Sequence, residues 1–311
     1  MVLGIDIGGT RIKAAVVTEA GKTIRSAEAL TAAQPEAFGA SLNNMLRVLQ
    51  QDLPPVESAG IGCKGIIDSH STKVLTLPGA LHHLEGQRLS TIIAPVLPAN
   101  CPVIADNDAR IAMAGEKQWG AARSCQDAIM LTLGTGVGGA VMLDGEILRG
   151  KGAIAGHIGH LTVDPDGPEC ICGNHGCLET YFSALAIESE AATALHRGLI
   201  TQLSKPTCED VFTAARNGDQ VALRIVHRAT KYLAGAIAGL LFVLDPEKVI
   251  LTGQITEAGA LLFDLVRKDV HERTLPLLRR TVPIVKSELS DPSGTLGAAA
   301  IALTLLNGNK F

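Results

Sequence analysis

Apolar residues in this chain alternate with polar ones or gather in short blocks, and glycine punctuates the blocks. Val2 to Ile7 reads as an apolar strand, Gly8-Gly9-Thr10 as a turn, and Ile12 to Val17 as a second strand ending at Glu19-Ala20-Gly21. The stretch from Ala128 to Leu148 repeats the plan: a strand (IMLTL), a glycine turn (GTGVGG), a strand (AVML), a turn at Asp144-Gly145 and a further strand. This repetition predicts a duplicated architecture. Apolar residues three and four apart predict helices over Ala37–Leu49, Asp108–Trp119, Tyr181–Leu195, Asp219–Leu244 and Gly259–Leu275. Val56–Cys63, Pro102–Ala105, Lys248–Thr252 and Val282–Val285 read as strands between them, so the expected class is α/β with antiparallel hairpins feeding larger sheets.

A length of 311 residues with 47% hydrophobic content exceeds most single domains and predicts two lobes. A formal net charge of -4, with Lys and Arg scattered along the chain, provides no footprint for a nucleic-acid or other polyanionic partner. The opening MVLGIDIGGT is already patterned as strand and turn, without the charged and apolar regions of a secretory signal. The most apolar run, Leu233 to Leu244, is shorter than the roughly 18 residues of a membrane span and contains Gly235 and Gly239. The expectation is a soluble, cytoplasmic protein with no membrane partner.

Both glycine turns follow a strand, where a backbone without Cβ atoms lets several N–H groups converge on phosphate oxygens. GTGVGG satisfies GxGxxG at Gly134, Gly136 and Gly139, but strand residues rather than a helix follow it, which excludes a Rossmann fingerprint. No GxxxxGK[ST] occurs, so a P-loop is excluded as well. Asp106-Asn107-Asp108 stands between a strand and a helix, a place where ligands bind. On local grounds it reads equally as a helix N-cap.

Three of the seven cysteines, Cys170, Cys172 and Cys177, fall close together, while Cys63, Cys101, Cys125 and Cys208 stand singly. In a reducing compartment the cluster reads as metal ligation rather than a disulfide framework. One histidine would complete a closed tetrahedral zinc site with no open position for water. His157, His160 and His175 compete for that place.

In order, DIGGT, NDA, GTGVGG, GHxGH, CxCGxxGCLE and a late SGTLGAA span nearly the whole chain and resemble the ROK family of sugar kinases. The histidine with CxCGxxGC is the most specific part; the glycine turns are shared with the wider actin and Hsp70 fold. The resemblance implies a two-lobed, actin/Hsp70-like (ribonuclease H-like) ATPase fold with duplicated lobes and a zinc-binding loop. It implies a small lobe over residues 1–118, completed by a C-terminal helix over about 295–311, and a large lobe over 119–294 carrying the zinc loop and a dimerisation surface. It implies a homodimer that phosphorylates a hexose or hexose-derived sugar at its 6-hydroxyl, using ATP, Mg²⁺ and a structural Zn²⁺.

Residue by residue, the resemblance makes Asp108 the general base and gives sugar contacts to Gly65, Asn107, His157, His160 and Glu179. Asp6 would help hold magnesium; Gly8, Gly9, Thr10, Lys13, Thr135, Gly136 and Gly253 would serve the nucleotide. His160, Cys170, Cys172 and Cys177 would ligate zinc. Four positions depart from the family pattern. His157 replaces a glutamate, Gly79 an asparagine and Lys64 a proline, and Gln254 interrupts a run of glycines in LTGQI. The alternative is a catalytically weak or inactive sugar-binding, regulatory member of the family. A DNA-binding repressor is disfavoured, because the DIGGT turn at Asp6 leaves no room before it for a helix-turn-helix.

Overall fold

Strand β1 (Val2–Ile7) turns at 8–10 into the antiparallel strand β2 (Arg11–Val17), with Ile7 opposite Ile12. The computed structural model describes all residues except 33, 78–80, 276, 279, 290–292 and 309–311. Strand β3 (Thr23–Leu30) pairs antiparallel with β2. Its largely exposed TIRSAEAL lacks a strong apolar alternation, and the sequence pattern did not predict it. After helix α1 (Pro35–Gln50) come β4 (Ser58–Cys63), the hairpin β5 (Ile66–Asp68) and β6 (Lys73–Thr76), helix α2 (Leu89–Ile93) and strand β7 (Val103–Asn107). The sheet order is β3-β2-β1-β4-β7, with β4 parallel to both β1 and β7. Phe38, Leu42, Leu46 and Leu49, one stripe of α1, are buried in the core of this unit.

Helix α3 (Asp108–Trp119) and the C-terminal helix Ser293–Leu306 complete that unit. The C-terminal helix lies directly on the strands: a Cβ on Gly60 of β4 would stand 1.9 Å from the Ala298 carbonyl oxygen. Its alanines, Ala298 to Ala300 and Ala302, are buried, since small side chains let helix and sheet backbones approach.

The second sheet repeats the first. Strands β8 (Ala128–Leu133), β9 (Val137–Leu143), β10 (Glu146–Ile147), β11 (Lys248–Thr252) and β12 (Ile284–Lys286) take the order β10-β9-β8-β11-β12. β8 and β9 are antiparallel, while β11 is parallel to β8 and β12, so the expected duplication is present in both order and direction. Helices α4 (Ala184–His196), α5 (Cys208–Arg216), α6 (Gln220–Leu244) and α7 (Ala260–Thr274) accompany it. α4 starts at Ala184 rather than Tyr181, because the Ser183 hydroxyl accepts from Ala186 N and caps the helix there. Asp219 caps α6 by accepting from Val221 N and Ala222 N at 2.9 and 2.8 Å. Helix α5 was not predicted, though at its start the Thr207 hydroxyl accepts from Asp210 N as an N-cap and donates to the Asp210 carboxylate.

Contacts divide the chain into two compact units: residues 1–124 with 144–155 and 288–311, and residues 125–143 with 156–287. Among the described residues no helix is long and apolar enough to cross a membrane.

Candidate functional site

Parallel pairing aligns the carboxyl ends of β1, β4 and β7: Ile7 lies beside Cys63 and Cys63 beside Asn107, with Asp6, Gly62 and Asp106 one position back. Such strand ends are where α/β sheets bind ligands. At the first end, Lys13 stands opposite Asp6 across the hairpin. The Asp6 carboxylate abuts the start of the C-terminal helix, where a Cβ on Gly294 would lie 2.2 Å from Oδ2. The intervening turn is held by the Gly8 N–H donating to the Arg11 carbonyl (3.0 Å) and the Thr31 hydroxyl donating to the Gly8 carbonyl (2.8 Å). Gly9 and Thr10 are exposed at its tip.

At the third strand end, Asn107 closes β7 and caps α3, its Oδ1 accepting from Ala109 N at 3.0 Å. Its Nδ2 donates to the Gly65 carbonyl at 2.9 Å, so two of the predicted sugar residues are brought together. Gly65 adopts φ +94°, and a Cβ there would stand 2.3 Å from the Thr76 carbonyl oxygen, a conformation and a space that require glycine. Asp108 is exposed beside them, with Oδ1 accepting from Ala109 N at 2.9 Å. The buried Cys63 thiol is pushed well above its ordinary value by burial and then by the negative charges of Asp108 and Asp6, which places both carboxylates around that strand end.

Asp106 has a different environment. Its carboxylate is fully buried between two guanidiniums, with Arg110 Nε at 2.6 Å and Arg149 Nε at 2.8 Å. Arg110, itself fully buried, also donates to the carbonyls of Ala153 and Ala155, and Arg149 donates to the Ser69 hydroxyl. The sequence reading missed this network. Asp106 and Arg110 are four residues apart across a strand–helix junction and could have been paired, but nothing local points to Arg149.

In the second unit the same strand ends recur. Thr132 of β8 pairs with Thr252 of β11, which sets the turn at 134–136 beside Gly253. Gly253 takes φ +97°, and a Cβ on it would stand 2.4 Å from the Leu133 carbonyl oxygen. Glu179 does not stand apart from the turn: its Oε2 accepts from Val137 N at 2.8 Å. Thr135, Glu188, Cys208, Phe212 and Gln254 line a cavity of about 510 Å³ against this turn. Because α5 was not predicted, the contributions of Cys208 and Phe212 to a site were missed.

Four donor atoms, one from each of His160, Cys170, Cys172 and Cys177, lie within 4.8 Å of one another. His160 Nδ1 is 3.6 Å from Cys170 Sγ, and Cys172 Sγ is 3.6 Å from Cys177 Sγ. A tetrahedral zinc with Zn–S near 2.3 Å sets neighbouring ligand atoms about 3.8 Å apart, so this donor set fits that ion. His157 and His175 lie outside the cluster, which resolves the choice that the sequence left open in favour of His160. The His157 ring stacks near that of His160, with centroids 6.4 Å apart and planes at 16°. Gly79 lies outside the described residues.

Residues 2–305 match the ROK family model. The glucokinase of Thermotoga maritima is 34% identical over 98% of each chain. The crystal structure of a ROK family glucokinase from Streptomyces griseus, in complex with glucose and AMPPNP, is 29% identical, superposes with a TM-score of 0.82 and covers 97% of this chain and 99% of that one. A ROK family transcriptional regulator, a homologue of the E. coli MLC protein, gives a TM-score of 0.88 at 26% identity over 99% of this chain and 78% of that one. Paired sheets of one plan, the His/Cys cluster and these likenesses together make the chain a member of the ROK family, with the fold of its hexokinases.

Proposed function

We propose that this protein transfers the terminal phosphoryl group of ATP to the 6-hydroxyl of a hexose or hexose-derived sugar. The observation that carries the reading is the exposed Asp108 at an aligned strand end, beside an Asn107 tied to Gly65. A sugar hydroxyl is a weak nucleophile and needs a positioned carboxylate to take its proton as the phosphoryl group arrives. Asp108 would accept that proton, while Asn107 and Gly65 orient the sugar. Backbone N–H groups of the turns at 8–10 and 135–136 would hold phosphate oxygens, with Lys13 and Gly253 beside them. Asp6 would hold the magnesium that arrives with ATP. The T. maritima and S. griseus glucokinases support this assignment. We further take the enzyme to be a homodimer, as the family resemblance of its motifs implies, and to be cytoplasmic.

His160, Cys170, Cys172 and Cys177 would hold a structural zinc, whose chemistry there is to close the loop and fix the His160 ring. Glu179, His157 and His160 would then read sugar hydroxyls. Elemental analysis of the purified protein should find one zinc per chain. Cys172→Ser should lose it and raise the KM for sugar; a purified wild-type protein without zinc, or one with these cysteines joined in a disulfide, would refute the assignment.

A coupled assay over a panel of hexoses and amino sugars tests the function itself. Turnover of at least one sugar with ATP is expected, and His157→Glu should change the order of preference, because imidazole and carboxylate offer different donors and acceptors. An unchanged profile would remove His157 from substrate recognition. Sugar binding without turnover would favour the second reading, a sugar-responsive binding protein, which the likeness to the regulator keeps specific.

A further inference from the structure

Helix α4 is anchored on the second glycine turn: Ala184 N donates to the Gly134 carbonyl at 2.9 Å. One turn further along α4, and so about 6 Å away on the same face, comes Glu188, which lines the cavity that opens from that turn. Its Oε1 accepts from Cys208 N at 3.1 Å, which fixes the half-buried side chain between α4 and the first residue of α5. The same cavity is walled by Phe212 and Ile255, which are 3% and 6% exposed. It therefore presents, in sequence, a glycine turn, a fixed carboxylate and an apolar wall.

We propose that Glu188 recognises the ribose hydroxyls of the phosphate donor, so that the site selects a ribonucleoside triphosphate over its deoxy counterparts and over inorganic polyphosphate. The inference rests on the reading that the turn at 135–136 holds donor phosphates. An ionised carboxylate only accepts hydrogen bonds, and a ribose is the one part of a nucleotide with two adjacent hydroxyl donors. One helical turn matches the span from the 5′-phosphate to those hydroxyls, and the base then reaches the apolar wall. Polyphosphate offers Glu188 no hydroxyl, and in the lining of the same cavity it would meet three carboxylates, those of Glu188, Glu209 and Glu257, against the guanidinium of Arg216.

The test compares wild type, Glu188→Ala and the shape-conserving Glu188→Gln. It measures kcat/KM for ATP, 2′-deoxy-ATP, 3′-deoxy-ATP and polyphosphate at a saturating accepted sugar. Calorimetric binding of ADP and 2′- and 3′-deoxy-ADP is read beside it, together with circular dichroism. A hydrogen bond to a charged acceptor predicts that wild type favours the ribonucleotide over at least one deoxy form by about ten- to a hundredfold. In Glu188→Ala that ratio should fall towards one, and in Glu188→Gln, whose amide oxygen still accepts but carries no charge, it should fall part of the way, with the sugar KM unchanged in both. A merely structural role would weaken all donors equally and leave the ratio intact, which would overturn the proposal. Equal use of both deoxynucleotides by wild type, or polyphosphate as good a donor as ATP, would also overturn it. If no sugar is phosphorylated at all, the kinase reading fails, whereas the binding arm still decides the role of Glu188: ADP bound no more tightly than either deoxy form overturns it.

Discussion

Asp108→Asn is expected to lower kcat by about 10²- to 10⁴-fold while sugar affinity survives, since general-base catalysis contributes rate enhancements of that order. The substitution keeps the side chain's shape and removes the proton acceptor. Asn107, not Asp108, is the N-cap of α3, accepting from Ala109 N at 3.0 Å, so the helix start remains capped in the variant. A change in stability below about 1 kcal/mol is therefore expected, the size of losing a cap being the upper limit. Steady-state kinetics, sugar calorimetry and circular dichroism together check this. Near wild-type turnover in a folded, sugar-binding Asp108→Asn protein would refute the assignment. Asp106 would be a poor substitute base, because its carboxylate is fully buried and engaged by Arg110 and Arg149.

Asp106→Ala should cost more stability than any other substitution considered for this protein. Removing one member of a buried ion pair leaves the remaining charge uncompensated, with a typical penalty of about 3–5 kcal/mol. Arg110 has no exposed surface on which to recover hydration. The melting temperature should fall by on the order of 10 °C, given about 2–4 °C per kcal/mol for folding units of this size. The same carboxylate accepts from Asn107 N at 2.7 Å, so it also fixes the strand end that carries Asn107 and Asp108. Asp106→Asn, which keeps that acceptor but not the charge, should lose stability while retaining more of kcat than Asp106→Ala. Denaturant unfolding and kcat for both variants check the pair. Wild-type stability in Asp106→Ala would show that the two guanidiniums find other partners.

The hairpins β1–β2 and β8–β9 were legible in the chain because strand periodicity and glycine turns are local signals, complete within some fifteen residues. The cap at Asn107 and the cysteine cluster were legible for the same reason: their spacing along the chain is itself the chemistry. Strand β3 escaped because its outward-facing residues bury little and so impose little pattern. Helix α5 escaped because it is only nine residues long: Val211, Phe212, Ala214 and Ala215 form a buried apolar stripe, but it runs for too few turns to stand out along the chain, and Thr207 was the mark of its start.

The amino-acid order by itself thus determined the repeated strand–turn–strand plan, the strand-end position of Asp108 and the presence of a thiol-rich ligand set. Only the tertiary structure decided which histidine joins Cys170, Cys172 and Cys177, that Arg149 reaches Asp106 from 43 residues away, and that Glu179 closes on Val137. It also decided that Glu188 and Cys208 meet at one cavity. These are contacts between groups remote in sequence, set by how helices and sheets pack. The hydrophobic pattern records that each face is buried, but does not record against what.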